Sequence, residues 1–182
     1  MTVTLTNNYL SAQFHLKGAE LKSLKEHATG IEYIWQSDPT YWTGAAPILF
    51  PIIGGLKNNT YYFEGKPYHI PSHGFVRHKT WVLVEANPTK AILSTASDAE
   101  TREMYPWEFE LRVIYKLENK TISIRYEVTN NSPNCMYFSI GSHPAFNLPF
   151  AGGYIEHYYV EFSETENLER YFFKGGLHLN ET

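Results

Sequence analysis

Two histidines stand where a side chain can be aimed at a substrate. His73 lies in Pro71-Ser72-His73-Gly74-Phe75, and His143 in Gly141-Ser142-His143-Pro144-Ala145-Phe146-Asn147. Imidazole has an unperturbed pKa of about 6.5, so it can give and take protons near neutral pH. The neighbouring Gly and Pro shape loops, and a loop at a strand end can point a side chain into a cavity instead of a core. Two such histidines, far apart in the chain, suggest a proton-transfer site assembled from distant strands. The plainer alternative is one packed histidine and one surface histidine.

The elements that must position them are strands. Leu10, Ala12, Phe14 and Leu16 alternate with polar residues, as do Phe109, Leu111, Val113, Tyr115 and Leu117, and then Ile122, Ile124, Tyr126 and Val128. Period-2 alternation means one buried face and one wet face. Glu118-Asn119-Lys120 reads as a short hairpin loop, and Glu64-Gly65-Lys66 as another. Pro67 puts the return strand of that second hairpin at an edge or a bulge. Further strands are expected at 19–27, 31–35, 80–86, 90–96, 134–140 and 157–162. Ser97-Asp98-Ala99-Glu100 has the form of a capping box, predicting a short helix to about Tyr105 before Pro106. Ser37 to Lys57 reads as a long loop rich in aromatic and apolar residues, a composition that argues against disorder. The sum is an all-β, antiparallel assembly in a single domain, residues 1–182.

Composition narrows the function classes. The 182 residues are 43% hydrophobic and 16% aromatic, with a net charge of -4. That aromatic share favours strands and surfaces that stack on ring-shaped ligands. No basic stripe is present, which argues against nucleic acid. A lone cysteine, Cys135, allows no intramolecular disulfide and no cysteine-based metal site. The histidines lack paired ligand spacing, so no metal is expected. No signal peptide and no membrane-length apolar run is visible, and a cytoplasmic protein that does not engage a membrane is the expectation.

Four segments, in order, resemble a known family. They are Gly18-Ala19-Glu20-Leu21-Lys22-Ser23-Leu24, Pro47-Ile48-Leu49-Phe50-Pro51-Ile52-Ile53-Gly54, Pro71-Ser72-His73-Gly74-Phe75-Val76-Arg77 and Gly141-Ser142-His143-Pro144-Ala145-Phe146-Asn147-Leu148-Pro149. The chain resembles aldose 1-epimerases (galactose mutarotases), and among them the LacX-like, mutarotase-related bacterial branch. The resemblance implies a β-supersandwich and interconversion of the α and β anomers of an aldohexose, with neither metal nor organic cofactor. It implies His143 as the general acid at the sugar ring oxygen and His73 as the histidine that binds and polarises the same region. Asn147, Phe75 and Phe146 are implied as lining groups.

Two departures from the family pattern stand out. Where many relatives carry a sugar-binding Arg there is Gly55, so affinity should fall unless Lys57 or Arg77 substitutes. The family also continues beyond position 182, and the continuation supplies a sugar-binding Asp, the general-base Glu and closing strands. Glu156, Glu161, Glu164, Glu166 and Glu169 match none of these and read as solvated. The fold is therefore expected to be incomplete at the C-terminus. It fits a fragment, a shortened paralogue that dimerises through an exposed sheet edge, or a chain completed by a second one. The functional alternatives are a non-catalytic carbohydrate-binding or regulatory protein, and a hexose-6-phosphate 1-epimerase using the charge of Arg77, His78 and Lys79.

Overall fold

The computed structural model describes residues 1–150 and 152–165, together with the backbone of two short strands beyond them. In chain order the strands are β1 (Thr2–Thr6), β2 (Leu10–His15), β3 (Leu21–Glu26), β4 (Ile48–Leu49), β5 (Thr60–Phe63), β6 (Lys66–His69), β7 (Val82–Asn87), β8 (Lys90–Ala96), β9 (Phe109–Glu118), β10 (Thr121–Asn130), β11 (Gly141–Ser142), β12 (Phe172–Lys174) and β13 (Leu177–Leu179). Among the described residues one α-helix, α1 (Ala99–Met104), precedes β9.

The strands form a three-stranded antiparallel sheet, β1-β2-β3, and a four-stranded one, β10-β9-β8-β7. Alternation dictates the packing. Val3, Leu5, Leu10, Ala12 and Phe14 of the first sheet meet Ala91, Leu93 and the buried row of β9. Phe14 stacks on Tyr115 with ring centroids 4.0 Å apart, and the Tyr115 hydroxyl donates to Ala19 O at 2.7 Å. That bond satisfies the one polar atom this core pair carries inward. The fold is the β-rich sandwich that the alternation predicts, with little helix.

Several local expectations need correction. α1 is capped by Asp98, not Ser97. Asp98 Oδ1 accepts from Thr101 N at 2.9 Å while Thr101 Oγ1 accepts from Asp98 N. Residues 31–35 form only single bridges, Glu32 to Lys25 and Ile34 to Phe146. The Glu32 carboxylate takes the amides of Leu24 and Ile34 that a ladder would have used. Residues 134–140 form no strand, because side chains capture their carbonyls. Trp107 Nε1 donates to Cys135 O, and the Tyr105 hydroxyl donates to Tyr137 O, each at 2.9 Å. Residues 157–162 likewise form no strand. Ile155–His157 is a 3₁₀ turn, and Glu156, Glu161 and Glu164 are exposed as expected. Glu166 and Glu169 lie outside the described residues.

Candidate active site

The His73 loop is built on backbone geometry that few residues tolerate. His73 has φ +65° and Gly74 φ +70°. A Cβ at Gly74 would sit 2.0 Å from Phe50 O and 2.4 Å from Phe50 C, so only glycine fits there. The close approach lets Phe75 N donate to Phe50 O at 3.1 Å, in a parallel bridge between Phe50 and Gly74. Behind the loop, Trp81 Nε1 donates to Val76 O at 3.0 Å and anchors the 3₁₀ turn Val76–His78 to the core.

Gly54 clamps both the backbone and the imidazole of His73. His73 N donates to Gly54 O at 2.8 Å, and Gly54 N donates to His73 Nδ1 at 3.0 Å. Nδ1 is thus an acceptor, and the neutral ring carries its proton on Nε2. Burial holds the His73 pKa below the ordinary histidine value, and the charges of Arg77 and His143 push it the same way. At neutral pH His73 is a neutral ring with Nε2–H free to donate.

His143 reaches the same place from another part of the chain. β11 pairs with β4 through Gly141–Leu49 and Ser142–Ile48. The ladder continues as single bonds, His143 N to Pro47 O at 3.2 Å and Ala145 N to Ala45 O at 2.8 Å. Ser142 is also bonded by the hydroxyl of Tyr126 on β10, whose pKa burial raises. The His143 ring is exposed, with its centroid 6.3 Å from that of His73 and 5.3 Å from that of Trp42. A hydrogen bond spans about 2.9 Å, so one oxygen atom placed between the rings can meet both.

The remaining candidates separate. Asn147 holds the loop, its Nδ2 donating to Glu32 O at 3.0 Å and Ile34 O at 2.9 Å, which leaves only Oδ1 for a ligand. Phe75 is 5% exposed and packs among Tyr105 and Phe109, so it supports the loop from the core side. Phe146 is 54% exposed and belongs to a separate apolar cleft with Leu148, Phe150 and Ile155. Lys57 sits on an exposed 3₁₀ turn, Lys57–Asn59. Arg77 does lie against the His73 loop, with Nη2 donating to Ser72 O at 2.9 Å and Nε to His78 Nε2 at 3.1 Å. Lys79 parts from Arg77 and His78, because its ammonium pairs with Asp98.

Sequence reasoning singled out the long loop but not Trp42 within it, nor Gly54 as the partner of His73. The signal for both was faint: one aromatic in an aromatic-rich loop, and one Gly-Gly step. A cavity of about 420 Å³ opens beside Trp42, lined by His15, Lys17, Glu20, Trp42, Pro47, Arg77 and His78 among others. Burial, then the charges of Arg77 and Lys17, lower the pKa of His78 there. Among the described residues no group of three or more His, Cys, Asp or Glu is placed to hold a metal. No helix among them is long and apolar enough to cross a membrane.

Comparison with known proteins places this geometry in context. The family model described as aldose 1-epimerase matches residues 1–171. The chromosomal and plasmid LacX proteins of Lactococcus lactis subsp. lactis are each 44% identical over 174 residues, covering 92% of this chain and 58% of theirs. A galactose mutarotase related enzyme from Lactobacillus acidophilus superposes with a TM-score of 0.82 at 38% identity, over 85% of this chain and 51% of its own. A galactose mutarotase-like protein from Lactobacillus casei gives 0.79 at 36% identity, over 81% and 50%. The chain thus spans little more than half the length of these relatives.

Proposed function

The chain belongs to the aldose 1-epimerase family, and from that premise we propose that it carries the histidine half of a mutarotase site, one that binds an aldohexose and protonates its ring oxygen. The observation that supports this most is the pair of imidazoles, 6.3 Å apart, with His73 locked as an Nε2–H donor.

Anomer exchange needs the C1–O5 bond to break. A proton reaches O5 while another leaves the C1 hydroxyl, the aldehyde rotates about C1–C2, and the reverse steps close the ring. In this reading His143 delivers the proton to O5. Its ring is exposed to a ligand, and Trp42 beside it restricts where it can swing. His73 hydrogen-bonds the same region without changing charge, which fixes the sugar and polarises the bond. Each such proton transfer contributes roughly 10²–10⁴-fold. The base for the C1 hydroxyl is assigned to no described residue. Glu20 and Glu32 are committed to backbone amides, and Glu156, Glu161 and Glu164 are exposed. With the described residues alone, turnover is expected to be a small remnant of that of a complete site.

Polarimetry on freshly dissolved α-glucose and α-galactose, alongside sugar binding by NMR titration, tests the proposal. Binding with slight acceleration, lost in His143→Ala, is the expected result. Binding with no acceleration would convert the reading to a non-catalytic carbohydrate-binding protein. Absence of binding would remove the site.

One observation favours a second substrate, a hexose phosphate. The cavity carrying Lys17, Arg77 and His78 includes Trp42, which packs against His143, and Pro47 in its wall bonds the His143 amide. The charges of Lys17 and Arg77 suit an oxyanion attached to a sugar at the histidines. Glucose 6-phosphate should then bind more tightly than glucose, and Lys17→Ala should narrow the gap.

A further inference from the structure

We propose that Glu20 is a positioning residue for His143, and that the turn carrying it, residues 16–20, sets the separation of the two histidine loops, a role that rests on the mutarotase reading of that pair. Of the four segments that carry the family likeness, Gly18-Ala19-Glu20-Leu21-Lys22-Ser23-Leu24 supplies neither histidine. Its place in the fold gives it a task. Gly18 has φ +70°, its N donates to Lys79 O at 2.8 Å, and a Cβ on it would lie 2.7 Å from Arg77 O. Glycine therefore lets the turn press on the backbone that follows His73. Beside it, Trp81 N donates to Leu16 O at 2.8 Å. Ala19 is fully buried, and its carbonyl takes the Tyr115 hydroxyl. The turn is thus fastened to the core and to the His73 loop.

Glu20 fastens it to the other loop. One carboxylate oxygen, Oε1, accepts from Ala45 N at 2.6 Å and from Ala46 N at 3.0 Å. Both alanines are buried. Hydrogen bonds to a carboxylate are roughly twice as strong as neutral ones. The stretch they hold is the one on which His143 hangs: Ala45 O accepts from Ala145 N at 2.8 Å, and Pro47 O accepts from His143 N at 3.2 Å. Gly18 and Glu20 are two residues apart, so the two loops are tied to one short, buried turn.

The second carboxylate oxygen reaches the aromatic beside His143. Glu20 Oε2 pairs with Lys22 Nζ at 3.5 Å, Lys22 Nζ donates to Ser37 Oγ at 2.6 Å, and Ser37 Oγ donates to Gly44 O at 3.2 Å. The Glu20 and Lys22 side chains are each 18% exposed, so this pair is better shielded than a surface ion pair. The relay closes the neck of the loop that contains Trp42. The Trp42 carbonyl takes Trp35 Nε1 at 2.8 Å, and its indole lies against Gly44, where a Cβ would come within 2.4 Å of Cζ2. That indole is the ring 5.3 Å from His143. Glu20 acts on His143 through the backbone beneath it and through the ring beside it. A general acid must stay within hydrogen-bonding reach of the atom it protonates, and a misplacement of about 1 Å can cost roughly 10²-fold.

NMR on the full chain tests the two arms without relying on turnover. In Glu20→Ala the His143 and Ala145 amides should exchange about tenfold faster, the ring contact between Trp42 and His143 should vanish, and glucose affinity should fall about tenfold. The Gly54 amide, which reports the His73 clamp, should keep its shift. Glu20→Gln retains an oxygen for Ala45 and Ala46, so it should restore slow exchange at His143 and Ala145. Lys22→Met cuts the relay alone, weakening the Trp42 contact while those amides stay slow. A folded Glu20→Ala with unchanged amides and ring contact overturns the proposal. So does exchange as fast in Glu20→Gln as in Glu20→Ala, or, should Glu20→Ala not fold, an unchanged Trp42 contact in Lys22→Met. A wild type that binds no glucose, with the exchange and ring contacts responding as stated, would bring down the mutarotase reading and leave Glu20 as the residue that positions His143.

Discussion

The two histidine loops hold similar side chains by opposite means. His73 is clamped: both backbone polar atoms of Gly54 bond it, its backbone is left-handed, and the next residue can only be glycine. His143 is held through its backbone amide, with its ring exposed between Trp42 and His73. A ring whose Nδ1 is occupied works as a fixed donor. A ring without such a clamp can change its proton and adjust its position as a sugar opens. On the proposed function, the contrast suits a binding role for the first and a transfer role for the second.

The most damaging way to break the contrast is Gly74→Ala. The three atoms nearest the added Cβ would be backbone, Phe50 O, Phe50 C and Pro51 N, which cannot swing aside as a side chain can. Loss of about 3 kcal/mol or more is expected in chemical denaturation, together with the Gly54–His73 bonds. Asn147→Ala strikes the other loop. It deletes both donors that tie residues 141–147 to Glu32 and Ile34, and about 2 kcal/mol should be lost. The imidazole of His73 should stay in place, which NMR of the Gly54 amide would show.

A gentler test uses pH. His73 has a lowered pKa in the fold, so the unfolded chain binds its proton first on acidification. Its contribution to stability is fully present above about pH 6.5, the unfolded value, and is lost as pH falls towards the folded pKa. Relative to His73→Asn, which tolerates the left-handed backbone, the wild type should lose stability progressively below about pH 6.5. The Gly54 amide should shift with a midpoint below that value, because protonation at Nδ1 abolishes its acceptor. A midpoint at or above the ordinary histidine value would dissolve the clamp as an explanation.

Sequence alone exposed the sandwich, because alternation in β2, β9 and β10 is a property of single strands. It also exposed the two histidines, because Gly and Pro mark their loops. What stayed hidden depends on partners distant in the chain. Residues 31–35 and 134–140 look like strands, yet Glu32 and the ring donors of Tyr105 and Trp107 take their backbone groups. Phe75 looks like a sugar platform beside His73, yet the turn at Gly74 sends it into the core. Lys79 looks like part of a cationic trio until Asp98, the cap of α1, claims it.

Gly55→Arg should have the smallest effect on the fold and would sharpen the contrast between the loops. Gly55 is exposed, and a Cβ there meets only Ser72, at 3.7 Å from Oγ and 3.8 Å from Cβ, an ordinary contact. Stability should change by no more than about 0.5 kcal/mol. Ser72 precedes His73, so the new guanidinium would sit beside the clamped ring, where a sugar hydroxyl would accept from it. One charged hydrogen bond contributes roughly 1.5 kcal/mol or more, so hexose affinity should rise about tenfold. The added charge should also lower the midpoint of the Gly54 amide shift, because it acts on His73 in the same sense as Arg77 does. If affinity rises and the midpoint does not move, the guanidinium has found the sugar from some other direction. If neither moves, residue 55 does not face the histidine pair.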